Sequence, residues 1–595
     1  MKTEPDVPTL QFALRKYGYF VRVWALIRPY WFSEDRWPGR GLLLLVILLN
    51  LASVYVTVRL AEWNRLFFNA LQAKDYHQFL ILLAHFGLLA AAYIVTAAYA
   101  LYFNQMLQIR WRRWLTEQYY EDWLKDRSYY MLQLEKSTVE NPEQRIQDDI
   151  GIVASLTLDL GVGLLNAVVT LASFLVMLWN LSGTLTFHIA GVEWSIPGYM
   201  VWVAILYSVF GTVATHYVGR PLIGINFDLQ KYDADFRFRM IRIRENAESV
   251  AIYGGETDEQ EQLKNSFGNI WRTWWRLMKT QKRLTFFTAG YDQMAVVFPI
   301  LVAAPRYFSG AIHLGGLTQT GVAFGQVQSS LSWFVSVYPN IAQWTASVNR
   351  LMGFGEALAE AKRLPASRAD IQVVSVPGPD LTVDKMNLCL PDQQVLLANV
   401  SLKIKAGDRV VMSGPSGAGK STLFRALAGI WPYGSGTVRI PQGLRRLFLP
   451  QKPYLPIASL RQVLSYPDQP RGHSDEAFHQ ALADAHLPHL IERLDDEANW
   501  SLELSGGEQQ RIGFARAFLY QPDWLFMDEA TSAVDEETEQ ALYSLVRERL
   551  PKVTLISIAH RVGIARFHRR RLTIQPETRS LLDNPVSPIG AGARG

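Results

Sequence analysis

The chain has 595 residues, too many for one hydrophobic core, so two or more domains are expected. Only 19% of its residues are charged, against about 25% in soluble domains, which fits a chain that partly faces lipid. A single cysteine, Cys389, excludes a disulfide framework and a cysteine zinc site, and a net charge of +5 without an aromatic-interleaved basic patch gives no sign of nucleic acid as a partner.

Residues 1–40 do not read as a secretory leader, because Arg15, Lys16, Arg22 and Arg28 break every apolar stretch. Trp24, Trp31, Phe32 and Trp37 interleave with these arginines, the composition of an interfacial helix on the cytoplasmic face of a lipid bilayer. A membrane domain is expected over 41–363. Within it, 41–58, 79–103, 160–179, 199–218, 284–303 and 321–344 each approach the ~20 apolar residues that cross a bilayer.

The fifth of these segments contains Asp292 and Gln293, and the sixth contains several glutamines and serines. Polar groups inside a span are costly unless they face a bundle interior or water. Tyr291, Asp292, Gln293, Gln326, Gln328, Ser329, Ser332 and Trp333 are therefore candidates for lining a translocation path; the alternative is that they bond neighbouring helices. Such a lining suits a polar or amphipathic small solute or peptide better than an apolar lipid.

Basic residues set the expected orientation. Residues 104–159 hold seven Lys plus Arg and 219–283 hold twelve, whereas 59–78 hold three, 181–197 none and 305–320 one. This contrast puts both termini in the cytoplasm. The two basic stretches keep helical periodicity and are predicted as extensions of the membrane helices, with bends at Asn141-Pro142-Glu143 and near Tyr253-Gly254-Gly255. A proline-containing linker over 364–379, an ATPase domain over 380–575 and a weakly ordered tail over 576–595 complete the expected organisation.

The ATPase reading rests on ordered motifs. An apolar strand at 409–413 leads into Gly414-Pro415-Ser416-Gly417-Ala418-Gly419-Lys420-Ser421, which fits GxxxxGK[ST], and then into a helix beginning with Thr422. Glycines let backbone N–H groups turn in around phosphate, the helix N-terminus adds partial positive charge, Lys420 neutralises phosphate oxygens, and Ser421 can ligate Mg2+. ATP and Mg2+ are the expected ligands. Downstream, Leu504-Ser505-Gly506-Gly507-Glu508 opens a second helix with backbone donors and a hydroxyl suited to a γ-phosphate. The strand 524–527 ends in Asp528, expected at Mg2+, and Glu529, expected to polarise the attacking water.

The run Leu504 to Arg511 resembles the signature of the ATP-binding-cassette (ABC) family, which narrows the class sharply. By that resemblance Gln451 is similar to the glutamine that senses Mg2+, Asp535 to the D-loop aspartate, and His560 to the switch histidine on the γ-phosphate. The usual adenine-stacking aromatic is replaced near Leu390. The resemblance implies six transmembrane helices of the ABC exporter type, fused to an α/β P-loop ATPase. It also implies a homodimer, because each ATP lies between the loop of one chain and the signature of the other.

Trp63 to Gln72, Asn141 to Ile146 with Asp148-Asp149, and Glu245 to Ala251 resemble the bacterial BacA-related transporters with a fused ATPase. Phe448 to Pro456 and Ala428 to Pro432 are similar also to the peroxisomal ABC subfamily D. That branch implies a half-transporter of the bacterial inner membrane carrying a peptide-like or cobalamin-like solute inward. Export or flipping of lipid, acyl-CoA or drug on the same fold stays open.

Overall fold

The computed structural model describes residues 18–134, 141–189, 192–367, 371–559 and 561–586. They fall into two compact units, one ending at Ala359 and the other beginning at Glu360.

In the first unit α1 (Tyr19–Ile27) stops at a 3₁₀ turn whose Pro29 cannot donate to it. Long helices follow: α2 (Arg36–Ala73), α3 (Tyr76–Leu124), α4 (Ile150–Ser182), α5 (Tyr199–Gly219), α6 (Pro221–Glu245) and α7 (Glu256–Phe308). A hairpin of β1 (Thr184–Ile189) and β2 (Val192–Pro197) joins α4 to α5. α3 has 49 residues, about 73 Å at 1.5 Å per residue, more than twice the ~30 Å of hydrocarbon, so it continues well past any crossing. Turns stand at both expected bends: Asn141 takes a left-handed conformation before Pro142, and Gly254 does so between Tyr253 and α7.

Five helical stretches are long and apolar enough to cross a membrane among the described residues. The sixth expected segment, 321–344, is corrected by the fold. Its helix α8 (Leu314–Ser336) starts earlier and stops at Val337, and α9 (Tyr338–Ser367) begins at once. Pro339, which has no N–H to continue the ladder, sits at that break, and the glutamines and serines of α8 keep its hydropathy below that of the other five.

Phe174 and Leu178 of α4, Met200 and Ala204 of α5, and Phe324 and Val327 of α8 form one buried cluster. The start of α8 lies hard against α2, where a Cβ on Gly315 would collide with the Arg65 carbonyl oxygen. α2 also caps α8: Asn69 Oδ1 accepts from the Gly315 N–H (2.9 Å) and Gln72 Oε1 from the Leu314 N–H (2.8 Å).

The second unit contains two sheets. β3 (Gln372–Val376), β7 (Gly434–Pro441), β4 (Leu381–Cys389) and β5 (Val395–Ile404) form one, in that order. The other runs β12 (Ser580–Pro585), β11 (Arg570–Gln575), β6 (Arg409–Ser413), β10 (Thr554–Ile558), β9 (Trp524–Asp528) and β8 (Arg446–Leu449), parallel except for the β11–β12 pair. Side chains alternate across it. Trp524 and Phe526 pack with Leu423 and Phe424 of α10 (Lys420–Leu427), whereas Leu525 and Met527 pack with Ile512 and Phe514 of α11 (Gly506–Tyr520).

Two expected boundaries are corrected. The stretch 364–379 is the end of α9 and the strand β3, paired in parallel with β7 through Val373 and Val438, and Pro377 and Pro379 lie beyond the strand where no ladder donor is needed. The stretch from 576 is the turn and second strand of the β11–β12 hairpin, in which Ile574 pairs with Leu581 and is buried, up to Pro585 at the sheet edge.

Candidate ATP site and transport path

The phosphate loop leaves β6 and enters α10. Gly414 has φ 153°, and a Cβ there would also stand 3.2 Å from the Ile574 carbonyl oxygen, so both backbone and space demand glycine. Gly417 and Gly419 are likewise at positive φ. Lys420 is 6% exposed and its Nζ donates to the carbonyls of Gly414 (2.9 Å) and Pro415 (3.0 Å), which holds the ammonium across the loop that Ser416 and Ala418 complete. The N–H groups of the first turn of α10, with Ser421 and Thr422, precede the helical ladder and are free to meet an anion.

Ser421 Oγ donates to Asp528 Oδ1 at 3.2 Å. Burial, and then the charge of Glu529, raise the Asp528 carboxyl above its ordinary range against the Ser421 bond. A hydroxyl and a carboxylate are hard oxygen donors, and among the described residues no group of three or more His, Cys, Asp or Glu is placed to hold a metal ion. This donor set fits Mg2+, which keeps water and phosphate oxygens as most of its ligands.

Glu529 follows β9 with φ 49°, a backbone turn that takes its side chain out of the strand direction. Its Oε2 accepts from Gln451 Nε2 at 3.2 Å, so these two sequence-predicted residues meet.

Ser505 caps α11 in a reciprocal box: the Glu508 N–H donates to Ser505 Oγ (3.4 Å), and the Ser505 N–H (3.0 Å) and Oγ (2.7 Å) donate to Glu508 Oε2. His489 Nε2 lies 3.1 Å from Glu508 Oε1. Burial opposes the Glu508 charge, but the Ser505 and His489 bonds outweigh it and hold the carboxyl below its usual range. Gly506 and Gly507 open the helix, and a Cβ on Gly507 would come within 3.0 Å of the Ala533 carbonyl. Asp535 caps α12 (Glu536–Arg549), its Oδ1 accepting from the Thr538 N–H at 2.9 Å. His560 lies outside the described residues.

Sequence reasoning missed two connectors. Gln510, buried in α11, donates from Nε2 to the Gln451 carbonyl (2.9 Å) and Ser532 Oγ (3.0 Å), while its Oε1 accepts from the Ala533 N–H (2.8 Å). Glu539, buried in α12, accepts from Thr531 Oγ1 (2.5 Å) and from Arg561 (3.3 Å), the residue after His560. All but the Thr531–Glu539 bond join residues more than 20 apart in sequence, and a Gln or Glu inside a helix carries no local mark of such a bond. Leu390 packs against the core holding Phe424, and Leu396 is the apolar side chain beside Gly419.

The candidate path residues divide. Tyr291 Oη donates to the Tyr207 carbonyl (2.9 Å) and Tyr207 Oη to the Tyr291 carbonyl (2.6 Å), with rings 4.5 Å apart, so this pair fastens α5 to α7. Trp333 covers Gly163 of α4. Asp292, Gln293 and Ser329 are exposed in the single chain, and Gln326, Gln328 and Ser332 are half-buried. A further polar cluster lies on α4 one turn before Gly163: Asp159 Oδ1 accepts from Asn104 Nδ2 and Gln108 Nε2 of α3, both at 2.8 Å. Hydropathy starts that span at 160 and so leaves Asp159 in the helical extension that precedes it.

Residues 26–308 match the family described as ABC transporter transmembrane region 2, and residues 397–532 match the ABC transporter family. The inner membrane ABC transporter ATP-binding protein YddA of Escherichia coli is 32% identical, covering 91% of this chain and 94% of that protein. The human lysosomal cobalamin transporter ABCD4 is 26% identical, covering 94% of each. A bacterial Atm1-family ABC exporter with ATP bound shares the fold, with a TM-score of 0.65 and 19% identity over 91% of this chain and 94% of that one.

Proposed function

The chain belongs to the ABC transporter family, as a half-transporter of the subfamily D type whose ATPase is coupled to transport, and we propose that it works as a homodimer moving a polar or amphipathic solute, peptide-like or cobalamin-like, inward across the bacterial inner membrane. The observation that carries the dimer is the placement of α10 and α11 in different cores of one ATPase unit, divided by the β9 sheet. The signature at Ser505 and the loop at Lys420 are thereby better placed to meet across two copies than within one.

In this reading Lys420 and the N–H groups at the start of α10 bind the β- and γ-phosphates. Ser505, Gly506 and Gly507 of the partner subunit offer donors to the same γ-phosphate. Ser421, Asp528 and the Gln451 side-chain oxygen would hold Mg2+, which neutralises phosphate charge when bound. Glu529 accepts the proton of the attacking water, oriented by Gln451, and His560 contacts the γ-phosphate. Gln510 keeps the signature helix and the segment at Ser532 and Ala533 in register with Gln451, and Asp535 caps the helix that follows. Closure around ATP then changes which side the path faces, lined by Asp292, Gln293, Gln326, Gln328, Ser329 and Ser332 and extended by Asp159. The distribution of basic residues supports cytoplasmic termini.

The solute reading draws on the cobalamin transporter likeness and on the amide and hydroxyl content of α8. The test is uptake of labelled cobalamin and peptides by vesicles reconstituted with the protein and supplied with ATP on the ATPase side. Loss of solute from the opposite side, abolished by Lys420→Ala, is expected. Movement in the reverse direction, or flux of acyl-CoA alone, contradicts the proposal in favour of an exporter or flippase.

A further inference from the structure

We propose that the N-terminal elbow, from α1 to the first turns of α2, binds the phosphate of an anionic phospholipid headgroup through Arg28 and Arg40. The elbow is fixed on its inner side. Tyr30 is fully buried, stacks on Trp111 of α3 at 5.6 Å and donates to Asp35 (3.1 Å), which also accepts from Arg110 Nε (3.0 Å). Arg22 is paired with Glu356 of α9 at 2.6 Å.

The outer side has no such partners. Phe20 is 85% exposed, Trp24 58% and Trp37 70%, around the half-exposed Phe32. Two guanidinium groups lie over the Phe32 ring, Arg28 at 5.2 Å and Arg40 at 5.0 Å, and Arg40 also stands 5.8 Å from Trp37. The Trp31 carbonyl accepts from Arg40 Nε (3.0 Å) and Nη2 (2.7 Å), which fixes the direction of its remaining donors. The Arg28 guanidinium has no hydrogen-bond partner among the described residues; only its backbone N–H is bonded, to the Trp24 carbonyl.

Depth and charge select the occupant. The first apolar span starts at Gly41, directly after Arg40, so both arginines sit at the level where headgroups lie. Arg28, Arg36 and Arg40 outnumber the exposed Glu34, while Asp35 is already neutralised by Arg110. Guanidinium donors match phosphate oxygens, and the flanking aromatic rings match the boundary between headgroup and acyl chain. A free phosphate would satisfy the arginines and leave those rings in water.

Native mass spectrometry of the purified full-length protein, incubated with phosphatidylglycerol or with phosphatidylcholine, tests the site. Preferential retention of phosphatidylglycerol is expected, falling about five-fold in Arg28→Gln, preserved in Arg28→Lys, and unchanged in Arg283→Gln, an exposed arginine beside the fifth span. Basal ATPase should be equal in all of them, which shows that the variants fold. Equal retention in wild type and Arg28→Gln, an equal fall in Arg283→Gln, or displacement of the lipid by excess inorganic phosphate overturns the proposal.

Discussion

At the scale of single residues, chemistry and position can be tested separately. Glu529 is bonded through Gln451 and turned out of its strand by a positive φ, so Glu529→Gln keeps the geometry and removes the proton acceptor. ATP binding should persist while hydrolysis falls by about 10²- to 10⁴-fold, measured as turnover of purified protein, and undiminished turnover would refute the assignment. The phosphate-loop and strand-end residues were legible in the sequence because their chemistry needs neighbours within a few positions. Gln510 and Glu539 were not, since their partners lie on other segments. His568 illustrates the same limit. Buried beside Ser557, it has its pKa lowered to about 4, against 6.5 unfolded. The unfolded chain therefore binds the proton first, and the folded state loses up to roughly 3 kcal/mol as pH falls from 6.5 to 4. Denaturant unfolding at stepped pH should show that slope in wild type and a flatter one in His568→Gln.

At the scale of elements, hydropathy found the apolar helices and misjudged the polar one. α8 carries enough amide and hydroxyl groups to fall below the others, and Pro339 breaks the run that composition alone would continue. The strand β3 was hidden by flanking prolines that in fact lie outside its ladder, and the β11–β12 hairpin by its polar turn. The Trp63–Gln72 run stood out by resemblance, yet its physical use appears only in the fold, where Asn69 and Gln72 cap α8. That contact leaves no room at Gly315. Gly315→Ala should destabilise the membrane unit by about 1–3 kcal/mol through overpacking, read as a lowered thermal unfolding midpoint in detergent, and an unchanged midpoint would place the helices farther apart. The polar lining makes a different demand. Asp159→Asn and Gln328→Ala should change solute-stimulated ATPase by several-fold more than the basal rate, and an unaltered ratio would return both to helix packing.

At the scale of the whole molecule, the proposal is that one phosphate loop and one signature per chain meet those of a second copy, completing two ATP sites. The chain carries both apolar spans and an ATPase domain, as a half-transporter of subfamily D type, and the long helices α3 and α7 extend beyond any bilayer crossing. The most direct measurement is a disulfide between the two motifs. With Cys389 replaced by Ser, a chain carrying Ser416→Cys, Ser505→Cys and Glu529→Gln is oxidised with and without ATP and resolved by mass. The account predicts an ATP-dependent species at twice the 67.5 kDa of one chain. A bond confined to single chains, or no bond while ATP is held, would contradict it.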